Sequence, residues 1–542
     1  MPQQEYLPIA GNIVYSSLAA AIPIFVLIYL LGIKRTTAWV AALCGLGSAL
    51  LVALLVYRMA PATAASAVAY GASFGLFPIC WIIVWAIFLY RIMVDTGKFE
   101  IVKDSIGNLT TDRRLQALLI AFAFSSFIEG AAGFGTPVAV AAAMLTGLGF
   151  SPFYAAAICL LANTAPVAFG SVGTPIVTLA GITSLPLNHL SGGIGLICSP
   201  LALIVPAYVV MVMGGWKALR GVLPAVIACG VVYCVVQFFV SYFVGPHLTA
   251  ILCSVAAMGV LTLAVKIWKP TGDVVLEGDT GVQKTPPHHT TSQLLHAWSP
   301  YILLVILVLL WGLEPFKGWL NLPTVVFKWP GLHNQILRVP PVVAKASPYP
   351  ALFTLNWLSA AGTACLIAAC LSAVVLGLSV KRFFHLLGAT LKQLTPPIVT
   401  VASVLGLAYL MNYDGAVGTL GLAFAATGSL YPMFGTYLGW LGVFLTGSDT
   451  SSNALFGNLQ VVTSHQLHLN PVLMASANSS GGVIGKMISL ASIAVASAAT
   501  GMAPHDEARL FRFTLRHSIV LVTLVGMLVM FYAYVTPQWV PR

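Results

Sequence analysis

Residues 122–144 read FAFSSFIEGAAGFGTPVAVAAAM, and Glu129 is their only charge. A carboxylate placed in hydrocarbon is costly, so an acid in such a run usually faces a protein cavity and carries function. Gly130, Gly133, Gly135 and Pro137 follow it and are poor material for a continuous helix interior. Broken backbone at membrane depth is tolerated only where it is buried in protein or lines a watery cavity. A carboxylate beside a glycine-rich break in an apolar segment therefore predicts a transport site.

The composition around this stretch agrees. Of 542 residues, 59% are hydrophobic and 7% are charged, against roughly 25% charged in soluble proteins. With a mean hydropathy of +0.95, the chain is expected to be an all-α polytopic membrane protein. Its net charge of +11 reads as the excess of Lys and Arg in cytoplasmic loops, not as affinity for nucleic acid. The nine cysteines are scattered singly, with no CxxC pair, and read as small core residues. The opening MPQQEYLP lacks the basic region of a signal peptide, so the first apolar segment is expected to be a retained helix.

Apolar runs near 20 residues define spans, and loop Lys and Arg orient them. Spans at 13–31, 38–57 and 74–94 alternate with Lys34-Arg35 and with the basic loop carrying Lys98, Lys103, Arg113 and Arg114. Placing both basic loops in the cytoplasm puts the N-terminus outside. The apolar pieces 115–128 and 137–148 are too short to cross alone. Joined at 129–135, they predict a re-entrant hairpin entering from the cytoplasm. Residues 152–185 are too long for one ordinary span and contain Asn163-Thr164-Ala165-Pro166 and a second cluster at 170–175, so one discontinuous helix is expected. Spans near 193–213, 222–244 and 247–267 complete an N-terminal half, 1–268. The polar segment 269–297 is expected to be a cytoplasmic linker.

The C-terminal half, 298–542, repeats this plan. A span near 298–313 leads to an outer segment, 314–349, whose Lys317, Lys328, Arg338 and Lys345 conflict with the charge rule. A span near 350–377 follows, then a long segment 396–428 interrupted at Asn412-Tyr413-Asp414-Gly415. A second hairpin, 433–465, has its tip at 447–453 and enters from outside. A broken helix, 471–500, is interrupted at 478–482, and a last span ends near Thr536. Phe134-Gly135 recurs as Phe456-Gly457, and Ala162-Asn163-Thr164 as Ala477-Asn478-Ser479. The expectation is about 12 transmembrane helices plus two re-entrant hairpins in inverted-topology repeats, with both termini outside.

Paired hairpins and broken helices form a secondary-transporter layout. Broken helices expose backbone N–H groups at half-helix N-termini, which suit an anion. The break residues are mostly Asn, Ser and Thr, which suits a small polar anion such as a hydroxy acid.

Three stretches carry a family resemblance. The run EGAAGFGTP at 129–137, NTAPVAFG at 163–170 and GSDTSSNALFGNLQ at 447–460 resemble the signatures of the L-lactate permease family, and the resemblance extends over essentially the whole chain. It implies a proton-coupled symporter that takes up L-lactate and related 2-hydroxy monocarboxylates, D-lactate and glycolate among them, across a bacterial inner membrane. The implied partners are that substrate, protons and the lipid bilayer. A sodium-coupled carboxylate symporter or a cation/proton exchanger of similar architecture is the alternative.

Glu129 and Asp449 are the candidate proton-coupling residues, because burial favours the neutral form of a carboxyl group. Their structural alternatives are a helix cap or fixed ion pair for Glu129 and an Asx turn for Asp449. Asp414, beside Gly415, reads as a turn or helix-end residue. Candidate substrate contacts are Gly133, Phe134, Gly135 and Thr136 in the first tip, and Ser448, Thr450, Ser451 and Asn453 in the second. Asn163, Thr164, Asn478 and Ser479 at the breaks join them, or else satisfy the backbone those breaks free. Lys486 could attract the substrate carboxylate or form a permanent pair with Asp449.

No cofactor or metal is implied. The run SGGVIGKM at 480–487 lacks the first glycine and the final Ser/Thr of a phosphate loop. His288-His289 and His465/His468 read as solvated loop residues. HExxH does not occur, which argues against an intramembrane metalloprotease.

Overall fold

The computed structural model describes every residue except 134, 269, 272–286, 288, 344, 504–505 and 542. Phe134, His288 and most of the expected 269–297 linker therefore lie outside the described residues. Among those described, 9 helices are long and apolar enough to cross a membrane, or up to 13 if each bent pair counts as one span. The expected dozen falls within that range.

Two helical hairpins organise the site. The first climbs from Arg113 through a π-helical stretch, Ala117–Phe124, into helix Ser125–Ala131, and returns as helix Thr136–Gly147. Its two ends sit together, because Arg113 Nη1 donates to the Leu148 carbonyl at 2.6 Å. Arg114, expected in a solvated basic loop, is instead fully buried. It pairs with Asp112 at 2.7 Å and donates to the carbonyls of Ala218 and Thr271, pinning the hairpin base to the neighbouring helix end. Glu129 is still helical. The break begins later than expected, at Ala132, where Gly133 and Gly135 take φ of 63° and 81°.

The second hairpin packs helix Tyr431–Thr446 against helix Asp449–Gln466. Gly447, at φ 71°, makes its turn, and Tyr431 Oη donates to Gln460 Oε1 at 2.8 Å near its open end.

Four boundaries differ from expectation. Helix Pro471–Gly485 runs unbroken through 478–482, and the bend of 41° comes at Ser489, which caps helix Leu490–Thr500. The glycines here serve close packing. A methyl on Gly481 would lie 2.0 Å from the Thr436 carbonyl, and one on Gly485 2.3 Å from that of Trp440. Small residues let membrane helices approach this closely. The expected span 74–94 starts earlier, with helix Pro61–Phe74 continuing to Asp95 across an extended Phe77. The expected span 350–377 is helix Ala361–Val375, because Leu352–Leu355 pairs as a strand with Val325–Lys328. The 396–428 segment starts earlier, as helix Val380–Asp414, and resumes after Gly415 as helix Ala416–Ala425.

Helices Pro152–Ala162 and Val167–Thr183 meet at 68°. Segment 314–349 contains helix Glu314–Leu320 and strands that join a small β module. The module grips two helices: Tyr70 Oη donates to the Leu352 carbonyl and Tyr413 Oη to that of Pro350.

Candidate functional site

The hairpin tips and the first broken helix enclose a cavity of about 450 Å³. Further walls come from Thr37–Trp39, from Pro396, Pro397 and Thr400 on the long helix, and from Ser492 and Val495. Glu129, Asp449 and Lys486 are its charged lining among the described residues.

Glu129 reaches the cavity from the last turn of helix Ser125–Ala131 and is only 4% exposed. Asn163, at the end of helix Pro152–Ala162, donates through Nδ2 to Glu129 Oε2 at 3.2 Å. Gly170 lets the carboxylate approach: a methyl there would lie 2.7 Å from Glu129 Oε1. Thr164 is buried, and its hydroxyl donates to the Leu161 carbonyl, so it satisfies backbone freed by the break.

In the second half Ser448 caps helix Asp449–Gln466 by accepting from the Ser451 N–H at 3.3 Å. Asp449 lies in the first helical turn, where a negative charge is favoured by the unpaired N–H groups. Its Oδ2 accepts from Ser479 Oγ at 2.6 Å and from Asn453 Nδ2 at 3.3 Å. Its Oδ1 has no hydrogen-bond partner among the described residues. Asn453 also donates to the Pro175 carbonyl at 3.2 Å, tying the second tip to the first broken helix. Behind it, Asn478 Nδ2 donates to Asn453 Oδ1 and accepts at Oδ1 from Gln460 Nε2. Lys486 Nζ donates to the Gly447 carbonyl at 2.7 Å rather than to either carboxylate.

Of the residues singled out from sequence, Glu129, Gly135, Ser448, Asp449, Thr450, Ser451 and Lys486 line the cavity. Asn163, Asn453, Asn478 and Ser479 stand one layer behind, orienting the carboxylates and each other. Gly133 packs against Ser171, and Thr136 opens the returning helix. Asp414 accepts from the Ala416 N–H at 2.7 Å, a local turn contact away from this cavity. Gly170, Ser171 and Pro175 also line it, and the Gly/Pro cluster at 170–175 was their signal. Pro396 and Pro397 were not singled out; two adjacent prolines inside the helix Val380–Asp414 are the signal that could have found them. Thr37–Trp39 carried no signal, because ordinary span residues become cavity wall only through tertiary packing.

The cavity thus brings an ammonium, a helix N-terminus and two carboxylates to one space. Comparison with known proteins gives the family. A family profile described as L-lactate permease matches residues 16–536. The chain is 44% identical over 565 residues to the L-lactate permease of Bacillus subtilis, covering 99% of both chains. It is 43% identical over 550 residues to the L-lactate permease of Escherichia coli, covering 99% of both. Over 550 residues it is 42% identical to the glycolate permease GlcA of Escherichia coli, covering 98% of both. The chain belongs to the L-lactate permease family, whose members are membrane transporters and not enzymes.

Proposed function

We propose that this protein takes up L-lactate, and with it D-lactate and glycolate, by proton symport across the bacterial cytoplasmic membrane. The names of its relatives support the substrate class. The observation that carries the coupling is the charge balance of the cavity, with two carboxylates, Glu129 and Asp449, against the one ammonium of Lys486. With both acids ionised the site is net negative and repels a carboxylate substrate. Protonating one makes it neutral, so proton and anion each favour the other's binding, as linkage requires. Carrying both together also removes net charge from the complex that must cross hydrocarbon.

The two hairpins act as re-entrant elements whose tips meet at the substrate. The shared base of the first, at Arg113 and Leu148, supports that reading. The cavity wall at Thr37, two residues after the basic pair Lys34-Arg35, supports an opening toward the cytoplasm, with both termini outside.

The test is uptake of labelled L-lactate into proteoliposomes of the purified protein, driven by an acid-outside pH gradient without sodium. Accumulation that collapses with a protonophore, and is competed by glycolate and D-lactate, is expected. Uptake that ignores the pH gradient and requires sodium would overturn the proton assignment.

A further inference from the structure

Directly after the cavity-lining Gly170, the chain makes a left-handed turn. Ser171, Val172 and Gly173 take φ/ψ of 44°/58°, 55°/38° and 78°/16°. Left-handed backbone costs an L-residue roughly 1–2 kcal/mol, and a β-branched residue there is a genuine outlier. Such strain persists only where surrounding contacts over-determine it, and it concentrates at functional sites.

Three contacts hold this turn. Ser171 Oγ donates to the Ala132 carbonyl at 2.7 Å, fastening it to the break of the first hairpin. Gly173 packs on Pro246 so closely that a methyl would lie 2.9 Å from the proline ring. His247, in the connection between helices Leu223–Phe243 and Thr249–Ile267, places Nδ1 2.8 Å from the Val172 carbonyl. A carbonyl only accepts, so Nδ1 carries the hydrogen. Neither Val172 nor His247 lines the cavity, but the two residues before Val172 do, and Gly170 also abuts Glu129.

We infer that His247 is a positioning residue for the transport site, acting through the Val172 carbonyl to hold the left-handed turn that places Gly170 and Ser171 against Glu129. The inference rests on the transport reading above. Without the clamp the turn relaxes, the binding-competent fraction falls, and the apparent affinity falls with it.

The experiment measures lactate counterflow and thermal unfolding for the wild type, His247→Leu, His247→Asn, Val172→Gly and the double variant His247→Leu/Val172→Gly. His247→Leu is expected to raise the half-saturation concentration about tenfold, as for one lost hydrogen bond, with a smaller change in maximal rate. His247→Asn keeps an N–H donor near the same position and should stay within about threefold of the wild type on the same reasoning. Glycine adopts a positive φ freely, so Val172→Gly should act more favourably in the His247→Leu background than in the wild type, in both affinity and melting temperature. That non-additivity is the signature of the clamp. An unchanged half-saturation in His247→Leu, or strict additivity in the double variant, would overturn the inference. If the wild type itself fails to exchange lactate, the transport reading falls, and the melting-temperature cycle still decides the clamp.

Discussion

Lys486 Nζ donates to the carbonyl oxygen of Gly447 at 2.7 Å, which ties the cavity's cation to the turn of the second hairpin. The bond fixes the ammonium at the mouth of helix Asp449–Gln466, where the helix N-terminus adds its own partial positive charge. Replacing Lys486 with Met keeps most of the side-chain length and removes both the charge and the tether. The half-saturation concentration for lactate should rise at least tenfold, since hydrogen bonds to charged groups contribute about 1.5–3 kcal/mol. Counterflow kinetics check it, and an unchanged half-saturation would show that Lys486 does not meet the substrate.

Glu129 and Asp449 make separable predictions. Glu129→Gln keeps the shape and a hydrogen-bonding partner for Asn163 but cannot release a proton. It should abolish pH-driven lactate accumulation while leaving lactate–lactate exchange. Asp449→Asn can keep an amide oxygen where Ser479 and Asn453 both donate, but it removes the negative charge and leaves a buried NH2 without a partner at the Oδ1 position, so it should impair exchange as well. Parallel accumulation and exchange assays distinguish the two. If Glu129→Gln accumulates lactate normally, Glu129 does not carry the proton.

Much of this arrangement was legible in the sequence because membranes make polarity conspicuous. A lone acid in an apolar run, an Asn-Thr-Ala-Pro break and a Gly-Ser-Asp tip each stand out. What was not legible depends on packing. Gly481 and Gly482 look like a helix break, yet the helix runs through them, because neighbouring backbone and the Asp449 carboxylate occupy the space their missing side chains leave. The strand Leu352–Leu355 sits in an apolar stretch that reads as the start of a span. Its pairing with Val325–Lys328 is a nonlocal contact that no local pattern announces.

The glycine reading predicts a graded series. A methyl on Gly439 would lie 1.9 Å from the Asn478 carbonyl oxygen, which is backbone and cannot swing aside. Gly439→Ala should therefore separate the hairpin from helix Pro471–Gly485 and cost about 1–3 kcal/mol, the usual penalty of overpacking. On Gly482 the methyl would lie 2.3 Å from Asp449 Oδ1, so Gly482→Ala should damage transport beyond its effect on stability. Gly47 meets nothing within 4 Å, and Gly47→Ala should be neutral or stabilising by up to about 1 kcal/mol. Thermal unfolding in detergent, read beside uptake, checks the order. Equal effects at all three positions would remove the close-packing argument.

The β module predicts a closed face opposite the cavity mouth. Tyr349 stacks on Tyr413 with ring centroids 4.2 Å apart, and Tyr70 meets Trp329, Phe353, Tyr409 and Tyr413 edge-on or tilted. Tyr413 stands about 24 Å along its helix from Pro397 at the standard rise per residue, well beyond the cavity wall. The cluster thus fastens helix Pro61–Phe74 and the end of helix Val380–Asp414 to the module, while Pro396, Pro397, Thr400 and Val401 of the long helix line the cavity. Tyr413→Phe keeps the stack and loses only the hydrogen bond to Pro350 at 2.7 Å, so it should cost about 1 kcal/mol. Tyr349→Ala removes the stacked ring and should cost more, because the aromatic pair adds about 0.5–1.5 kcal/mol beyond its buried area. If this face must open for substrate to enter, weakening it also favours the open form, and Tyr349→Ala should raise the exchange rate while lowering the melting temperature. A variant that loses stability with no gain in exchange would mark the cluster as scaffold alone.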